Sequence, residues 1–285
     1  MKTLTVLFCL CVPLMSADKI TLTKQESAKV IEAVIRKATK KPQGQLTEED
    51  YKIIVGLKFF DQGITDVSSL SRLIWLQKLN LMENRVTDIS SLANLKNLTK
   101  LNVGQNPLKD LSPVCDLPEI TYLELAYSRV DDYQPLLKLN KLRGLQLEGN
   151  VTAKANLKVI SGLFELKYLK LQACYIDDLS PLSSLTKLTH IHLDGNQVSD
   201  LTPLEDMAAM RILDLHNNKV TDVRPLIRMR ELEILKLGKN PITDFSPLIN
   251  LDKLKVLEID REKLTESSLA EIKASNPKIN IREVN

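Results

Sequence analysis

Aromatic residues and blocks of like charge are both scarce in this chain of 285 residues. Phe, Trp and Tyr together make up 4% of the sequence, whereas Leu is abundant, and this balance favours a regular, repeated aliphatic core. Charged residues make up 26%, an ordinary share that argues against extensive disorder. The formal net charge is only +3 and no run of Lys or Arg occurs, so nucleic acid and anionic membrane surfaces are not expected as main partners.

Sequence motifs of catalysis are missing as well. The chain has no Gly-rich phosphate loop, no nucleophile elbow around a serine and no pair of metal ligands at a known spacing. We therefore expect neither an enzyme nor a resident cofactor.

The first residues have the layout of a secretory signal peptide. Lys2 gives a positive start, residues 4–14 are apolar and uncharged, and the small residues Ser16 and Ala17 precede a polar stretch. We expect residues 1–17 to be removed, which predicts a secreted, periplasmic or cell-envelope protein without an integral membrane span. A retained anchor is the alternative, although the apolar run is short for crossing a bilayer.

What is present is a repeat. An apolar residue that opens a predicted strand recurs every 22 residues, with one step of 24, at Leu57, Leu79, Leu101, Leu123, Leu145, Leu169, Ile191, Leu213, Leu235, Leu257 and Ile279. A second apolar residue follows two places later, which is the alternation of a strand with one buried face. Such a period indicates a solenoid of stacked repeats.

A small polar residue closes most strands, five places after the opening residue. Its side chain is expected to point inward and to bond backbone groups that the turn leaves open. This structural ladder comprises Asn84, Asn106, Asn150, Cys174, Asn196, Asn218 and Asn240, with Ser128 in the remaining repeat. Cys115 and Cys174 lie nearly three repeats apart, so we expect two free and largely buried thiols.

Aspartates recur on the return segments, often as Asp-x-Ser-Pro. They could form a row of cation ligands, but Asp and Ser before Pro are typical of turn caps and short helical starts, which we favour. The recurring positions are Asp66, Asp88, Asp110, Asp132, Asp178, Asp200, Asp222 and Asp244.

The pattern L-x-x-L-x-L-x-x-N/C-x-L, complete from Leu76 to Val86, resembles the 22-residue leucine-rich repeats of the bacterial internalins over roughly residues 46–282. The resemblance implies an α/β solenoid: a right-handed arc with a parallel β-sheet on its concave face, short 3-10 or extended convex segments, and helical caps. It also implies protein binding on the concave face. A eukaryotic phosphatase regulatory subunit uses a similar repeat without a signal peptide. We see no internalin-type C-terminal domains, so the host-receptor role is not expected to transfer.

The predicted organisation has three parts after the signal peptide. Residues 18–55 form an N-terminal helical cap, with a helix over 25–39 and a second helix beginning after Thr47. Residues 56–256 are the repeats, and residues 257–285 form a C-terminal cap with a helix after Thr265 and an edge strand. The two extra residues between 151 and 162 predict a small convex bulge or short helix.

The outward strand positions define a candidate protein-binding surface. Tyr122 and Tyr168 flank Gly144, which predicts a shallow notch between two rings, while simple side-by-side packing is the alternative. The predicted binding residues are Tyr122, Glu124, Tyr127, Gly144, Tyr168, Lys170, Gln172, His190, His192, Asp194, Asp214 and His216.

All three histidines lie in one part of this surface. The strand register places His192 beside Asp214 and Asp194 beside His216, a square of side chains that could bind zinc or respond to pH. A polar surface without either property is the favoured interpretation, so no metal is predicted.

Taken together, these features predict an exported, monomeric module that binds a protein ligand. A structural component of the cell envelope is the first alternative, and an intracellular scaffold resembling a phosphatase regulator is the second.

Overall fold

The computed structural model describes residues 20–263 and 265–284, so the predicted signal peptide lies outside the described residues. Within them, eleven parallel strands form one sheet in strictly sequential order. The strands are β1 (Gly56–Lys58), β2 (Lys78–Asn80), β3 (Lys100–Asn102), β4 (Tyr122–Glu124), β5 (Gly144–Gln146), β6 (Tyr168–Lys170), β7 (His190–His192), β8 (Ile212–Asp214), β9 (Ile234–Lys236), β10 (Val256–Asp260) and β11 (Asn280–Val284).

The repeat period sets the register of the sheet. The central residue of each strand from β1 to β10 pairs with its counterpart on the next strand, as Leu57 does with Leu79. These central side chains are buried, and the flanking ones face outward. The last strand departs from the prediction, because Leu257 pairs with Ile281 and not with Ile279. The C-terminal helix replaces a normal return segment there, so the period no longer sets the register.

Short 3-10 helices lie on the convex side and return the chain to the next strand. Before each of them an aspartate accepts a hydrogen bond from the backbone N–H two residues later, for example Asp88 from Ser90 at 2.7 Å. The backbone and hydroxyl of Ser112 likewise donate to Asp110 and lower the pKa of its carboxyl. The predicted role of the aspartates as turn caps is confirmed. These helices span Ser68–Arg72, Ser90–Asn94, Ser112–Asp116, Gln134–Lys138, Ser180–Leu182, Thr202–Leu204, Arg224–Arg228 and Ser246–Asn250, and Arg261–Lys263 forms another near the C-terminal cap.

The asparagines that close the strands form bonds between repeats. The Asn196 amide donates to the carbonyl oxygens of Leu171 and Leu193, at 2.8 and 2.7 Å, and its carbonyl accepts from backbone N–H groups of the preceding turn. Cys174 is buried at the same repeat position and its thiol lies 3.2 Å from the Leu147 carbonyl oxygen. Both thiols are free, but the prediction that Cys115 is buried was wrong. Cys115 lies on a convex 3-10 helix, at a repeat position that faces solvent.

Helices cover the two ends of the solenoid. The N-terminal cap consists of α1 (Lys24–Thr39) and α2 (Glu48–Lys52), capped by Thr23 and Thr47, respectively. The two-residue insertion forms α3 (Leu157–Ile160), and α4 (Glu266–Ser275) begins after Thr265. Helices in the described ranges are all too short or too polar to span a bilayer.

The core is a continuous column of aliphatic side chains between the sheet and the convex turns. Leu79, Leu81 and Leu92 are each at most 2% exposed, and equivalent residues repeat this arrangement along the chain. The predicted fold class is therefore confirmed: an unclosed, right-handed α/β solenoid with a parallel sheet on one face and 3-10 turns on the other.

Candidate functional site

The outward face of the sheet carries the predicted binding residues. The two flanking residues of each short strand point outward, and a third outward residue follows in the turn. The structure places Tyr122 and Glu124 on β4, Tyr127 in the turn after it, Gly144 on β5, Tyr168 and Lys170 on β6, Gln172 after β6, His190 and His192 on β7, Asp194 after β7, Asp214 on β8 and His216 after β8.

Aromatic rings meet side by side across the middle of this face. The ring of Tyr168 lies 5.7 Å from that of Tyr122, 5.8 Å from that of His190 and 5.7 Å from that of His192, between centroids. Lys100 extends the row, because its ammonium group lies 5.3 Å from the centroid of the Tyr122 ring. We name Tyr122, Tyr168, His190 and His192 the aromatic ridge.

The predicted open notch at Gly144 is not present. The Tyr122 ring lies directly over this glycine, so that a Cβ atom at position 144 would be 2.3 Å from a ring carbon. Burial raises the pKa of the Tyr122 phenol to about 12, with Tyr168 as the next cause. The two tyrosines therefore form one continuous surface, and the side-by-side alternative describes their packing.

Tyr127 lies at the turn edge of the face and has a left-handed backbone, with a φ of 51°. Its ring covers Gly149 in the next turn, where an added Cβ atom would lie 2.1 Å from the ring. Tyr127 thus packs against the neighbouring repeat, while Tyr175, in the turn after β6, is 43% exposed.

Next to the aromatic ridge lies an open depression of about 390 Å³, which we name the acidic groove. Asp214 forms its floor, with a side chain only 6% exposed. Burial by itself would raise the pKa of Asp214, but the nearby His192 ring and the Lys236 ammonium group lower it overall. The groove is lined by Tyr168, Lys170, Gln172, His192, Asp194, Asp214, His216, Lys236 and Glu258.

The histidines and aspartates do not form the closed square of side chains that the sequence predicts, because Lys236 and Glu258 take part in the contacts. His192 Nδ1 lies 3.8 Å from an Asp214 oxygen, but Lys236 is closer, at 2.9 Å from the same atom. His216 Nδ1 lies 3.7 Å from a Glu258 oxygen on β10. Among residues 20–263 and 265–284, no three His, Cys, Asp or Glu side chains are grouped closely enough to hold a metal ion. The geometry therefore gives no support to the metal hypothesis for His192, Asp194, Asp214 and His216.

A second group of charges links the groove to the middle of the sheet. Lys170 lies 3.9 Å from Glu148, and Glu124 accepts a hydrogen bond from the Asn102 amide. Burial raises the pKa of Glu124, and the nearby carboxylate of Glu148 adds to this effect. Asp194 shows the same pattern: burial raises its pKa first, and Asp214 second.

The sequence prediction does not include two residues that line the groove, Lys236 and Glu258, or Glu148 beside it. Glu148 and Lys236 occupy outward positions of the repeat, and the repeat pattern alone identifies both as part of this face. Glu258 follows Leu257, and extending the 22-residue register by one more repeat would have found it.

Comparison with known proteins agrees with this geometry. The family model described as Leucine Rich repeats (2 copies) matches residues 74–116, 165–206, 186–228 and 208–250. A search of the curated proteins found no significant match. The fold and its outward face thus define a leucine-rich-repeat protein, a class whose architecture supports interaction with other proteins.

Several solved structures share this fold. An internalin (inlF) of Listeria monocytogenes has a TM-score of 0.64 at 23% identity, over 90% of this chain and 94% of that one. Internalin C2 (inlC2) of the same species is 30% identical, with a TM-score of 0.56 over 79% of this chain and 90% of that one. The LRR protein LIC12759 of Leptospira interrogans has a TM-score of 0.68 at 25% identity, over 82% of this chain and 62% of that one. This chain belongs to the internalin-like family of bacterial leucine-rich-repeat proteins.

Proposed function

We propose that this protein is exported and binds a protein ligand on the outward face of its sheet, without catalysing a reaction. The observation that carries the proposal is the aromatic ridge. Three stiff, half-buried rings, of Tyr122, Tyr168 and His192, are held at 5.7 Å spacings on a rigid sheet. Tyr side chains give large contact areas at low entropic cost, which is why they are enriched at the centres of protein interfaces.

The rigidity of the scaffold supports the same proposal. The ridge residues stand on strands whose registers are fixed by backbone bonds to both neighbours. Little conformational entropy would be lost on binding, so more of the contact energy would appear as affinity. The groove is also open along the sheet, which suits a protein surface better than a reaction that needs exclusion of water.

Affinity capture tests the binding proposal. The parent protein and a variant with Tyr122→Ala and Tyr168→Ala would be immobilised and exposed to envelope extract and culture medium. Phe164→Ala is the matched control, because Phe164 is an aromatic residue 60% exposed on a connecting segment outside the sheet. We expect a protein retained by the parent and by the control but lost by the double variant. A partner retained equally by all three would move the site to another face.

Export is tested separately. N-terminal sequencing of the protein recovered outside the cytoplasm should find a chain that starts near Asp18. Recovery of a chain that still carries residues 1–17, in the cytoplasm alone, would contradict export and favour an intracellular scaffold.

A further inference from the structure

The acidic groove and its rim contain more carboxylates than nearby lysines can neutralise. The two lysines are already paired, Lys170 with Glu148 at 3.9 Å and Lys236 with Asp214 at 2.9 Å. Among the described residues, no lysine or arginine forms an ion pair with the three remaining carboxylates. Those are Glu124, Asp194 and Glu258. Each stands at an outward position on a different strand or turn of the sheet.

Three buried polar atoms in the same region also have no hydrogen-bond partner within the described part of the chain. They are Glu148 Oε2, Gln172 Oε1 and His216 Nδ1. All three belong to the same column of outward residues, formed by the second residue after each strand. A buried acceptor without a partner costs free energy, which a donor from a ligand recovers. Glu148 Oε2 and Gln172 Oε1 are therefore acceptors, in or beside the groove, that no donor within the described part of the chain satisfies.

The proximity of carboxylates to one another changes their pKa values in a predictable direction. Burial raises the pKa of Asp194 and of Glu124, and a neighbouring carboxylate raises each further. A cation placed in the groove beside Asp194 would favour the charged form of this carboxyl and lower its pKa again. Binding of a cation should therefore release protons and become stronger as the pH rises through the range in which the Asp194 carboxyl titrates.

The shape of the groove favours an organic cation attached to a larger partner. Its lining includes Tyr168, so the groove and the aromatic ridge share a wall and form one continuous surface. A guanidinium group is planar, carries five N–H donors and stacks on aromatic rings, which matches separated acceptors beside a tyrosine. A lysine ammonium offers three donors and fits the same charge.

We propose that the acidic groove receives an Arg or Lys side chain of a protein partner, from a segment whose neighbouring apolar or aromatic residue rests on the aromatic ridge. The proposal rests on the proposed function, because it assigns the chemistry of the ligand for the same face. The segment is expected to lie across strands β4 to β9, with its charged residue above Asp194 and its apolar residue above Tyr168.

The test uses the full chain and a phage-displayed library of random peptides. Peptides selected by the parent should be enriched in a basic residue close to an apolar or aromatic one. A synthetic peptide of the consensus is then compared with a copy in which citrulline replaces the arginine, since citrulline keeps the shape and removes the charge. We expect the citrulline peptide to bind at least about tenfold more weakly, and added salt to weaken the arginine peptide selectively.

Protein variants locate the interaction. Asp194→Asn combined with Glu148→Gln removes charge and keeps shape, and should weaken binding of the arginine peptide at least about tenfold. Glu119→Gln is the matched control, because Glu119 forms an exposed pair with Lys141 away from the groove and its loss should leave binding unchanged. Unfolding curves of all variants confirm that each is folded.

Four outcomes would overturn the inference. They are a consensus without a basic residue, equal binding of the citrulline peptide, equal binding by the double variant, or free argininamide that binds as tightly as the peptide. If Tyr168→Ala weakens the selected peptides while the double variant does not, the proposed function stands and only the assigned chemistry fails. If neither change weakens them, or if the library yields no retained peptide, both proposals fail.

Discussion

The rings of Tyr122 and Tyr168 meet at 5.7 Å between centroids, although these residues stand on β4 and β6, which are not neighbouring strands. Two strand spacings separate their backbones by about 9.6 Å, so at least one ring must lean along the sheet. Tyr122 does so, across Gly144, where the lack of a side chain leaves room for the ring. A single glycine thus joins two tyrosines into one surface.

This relationship predicts the effect of Gly144→Ala. The new methyl group would displace the Tyr122 ring from Tyr168, because the added Cβ would lie 2.3 Å from a ring carbon. The ring is the far end of a flexible side chain, so the free energy of unfolding should fall by no more than about 1 kcal/mol. Partner binding should fall as far as it does in Tyr122→Ala, measured by titration calorimetry. Gly56→Ala is the control, since its Cβ would lie 3.7 Å from its nearest neighbour at the same strand position; equal partner affinity in the two alanine variants would refute this account.

Two neighbouring aspartates should have opposite effects on stability. The nearby His192 ring and Lys236 ammonium group lower the pKa of Asp214 overall, so the charge of Asp214 stabilises the fold at neutral pH. This contribution is lost as the pH falls below about 4. Asp214→Asn should therefore lower the free energy of unfolding at pH 7 by about 2 kcal/mol.

Asp194→Asn should raise the free energy of unfolding at pH 7, by up to about 1 kcal/mol. Burial and Asp214 raise the pKa of Asp194, so ionisation of this carboxyl in the folded protein contributes a loss of stability as the pH rises above about 4. The variant escapes that loss, and its advantage should vanish at lower pH. Urea unfolding at several pH values measures both variants, and a change of the same sign at neutral pH would contradict the charge arrangement of the groove.

The asparagine ladder should contribute strongly to stability. Asn196→Ala would leave three backbone groups without a hydrogen-bond partner, and the Leu193 carbonyl would keep only the bond from Asn218. We expect a loss of about 3 kcal/mol in the free energy of unfolding. Gln197→Ala, at the exposed residue next in sequence, should change it by less than about 0.5 kcal/mol. Chemical denaturation of both variants checks this, and similar values for the two would show that the ladder bonds contribute little.

The two thiols in the repeats should differ in reactivity. Burial raises the pKa of Cys174 to about 12, so almost no thiolate is present near neutral pH, whereas Cys115 is exposed. Maleimide treatment of the folded protein should label Cys115 and leave Cys174 unlabelled until denaturant is added. Digestion and mass spectrometry locate the label on each cysteine. Rapid labelling of native Cys174 would show that the repeats open locally at this point.

The strands could be predicted from the sequence because each one repeats the same inward pattern, and each pairs with a copy of itself. The prediction of strand register was wrong at the C-terminal end, where the repeat pattern stops. The 22-residue period predicts that Ile279 pairs with Leu257, but α4 changes the length of the connection and moves the register to Ile281. The repeat pattern also does not determine side-chain rotamers. The spacing gives the position of Tyr122 on its strand, but not the rotamer that places its ring over Gly144.

The charges of the site illustrate the same limit. Register placed His192 beside Asp214 correctly, yet a longer side chain from the following strand, Lys236, reaches the same carboxylate more closely. His216 turns toward Glu258 and away from the predicted square. Competition among several nearby partners depends on side-chain length and rotamer, which a repeat pattern does not contain.

Because each Asn carboxamide bonds equivalent atoms at successive joints, the solenoid is chemically modular. Duplication or deletion of one 22-residue unit would leave the remaining joints unchanged, and the two extra residues accommodated by α3 show that small length differences are absorbed on the outside of the arc. The length of the outward face on either side of the aromatic ridge is therefore a quantity that gene duplication could alter in steps of one strand, without any redesign of the core.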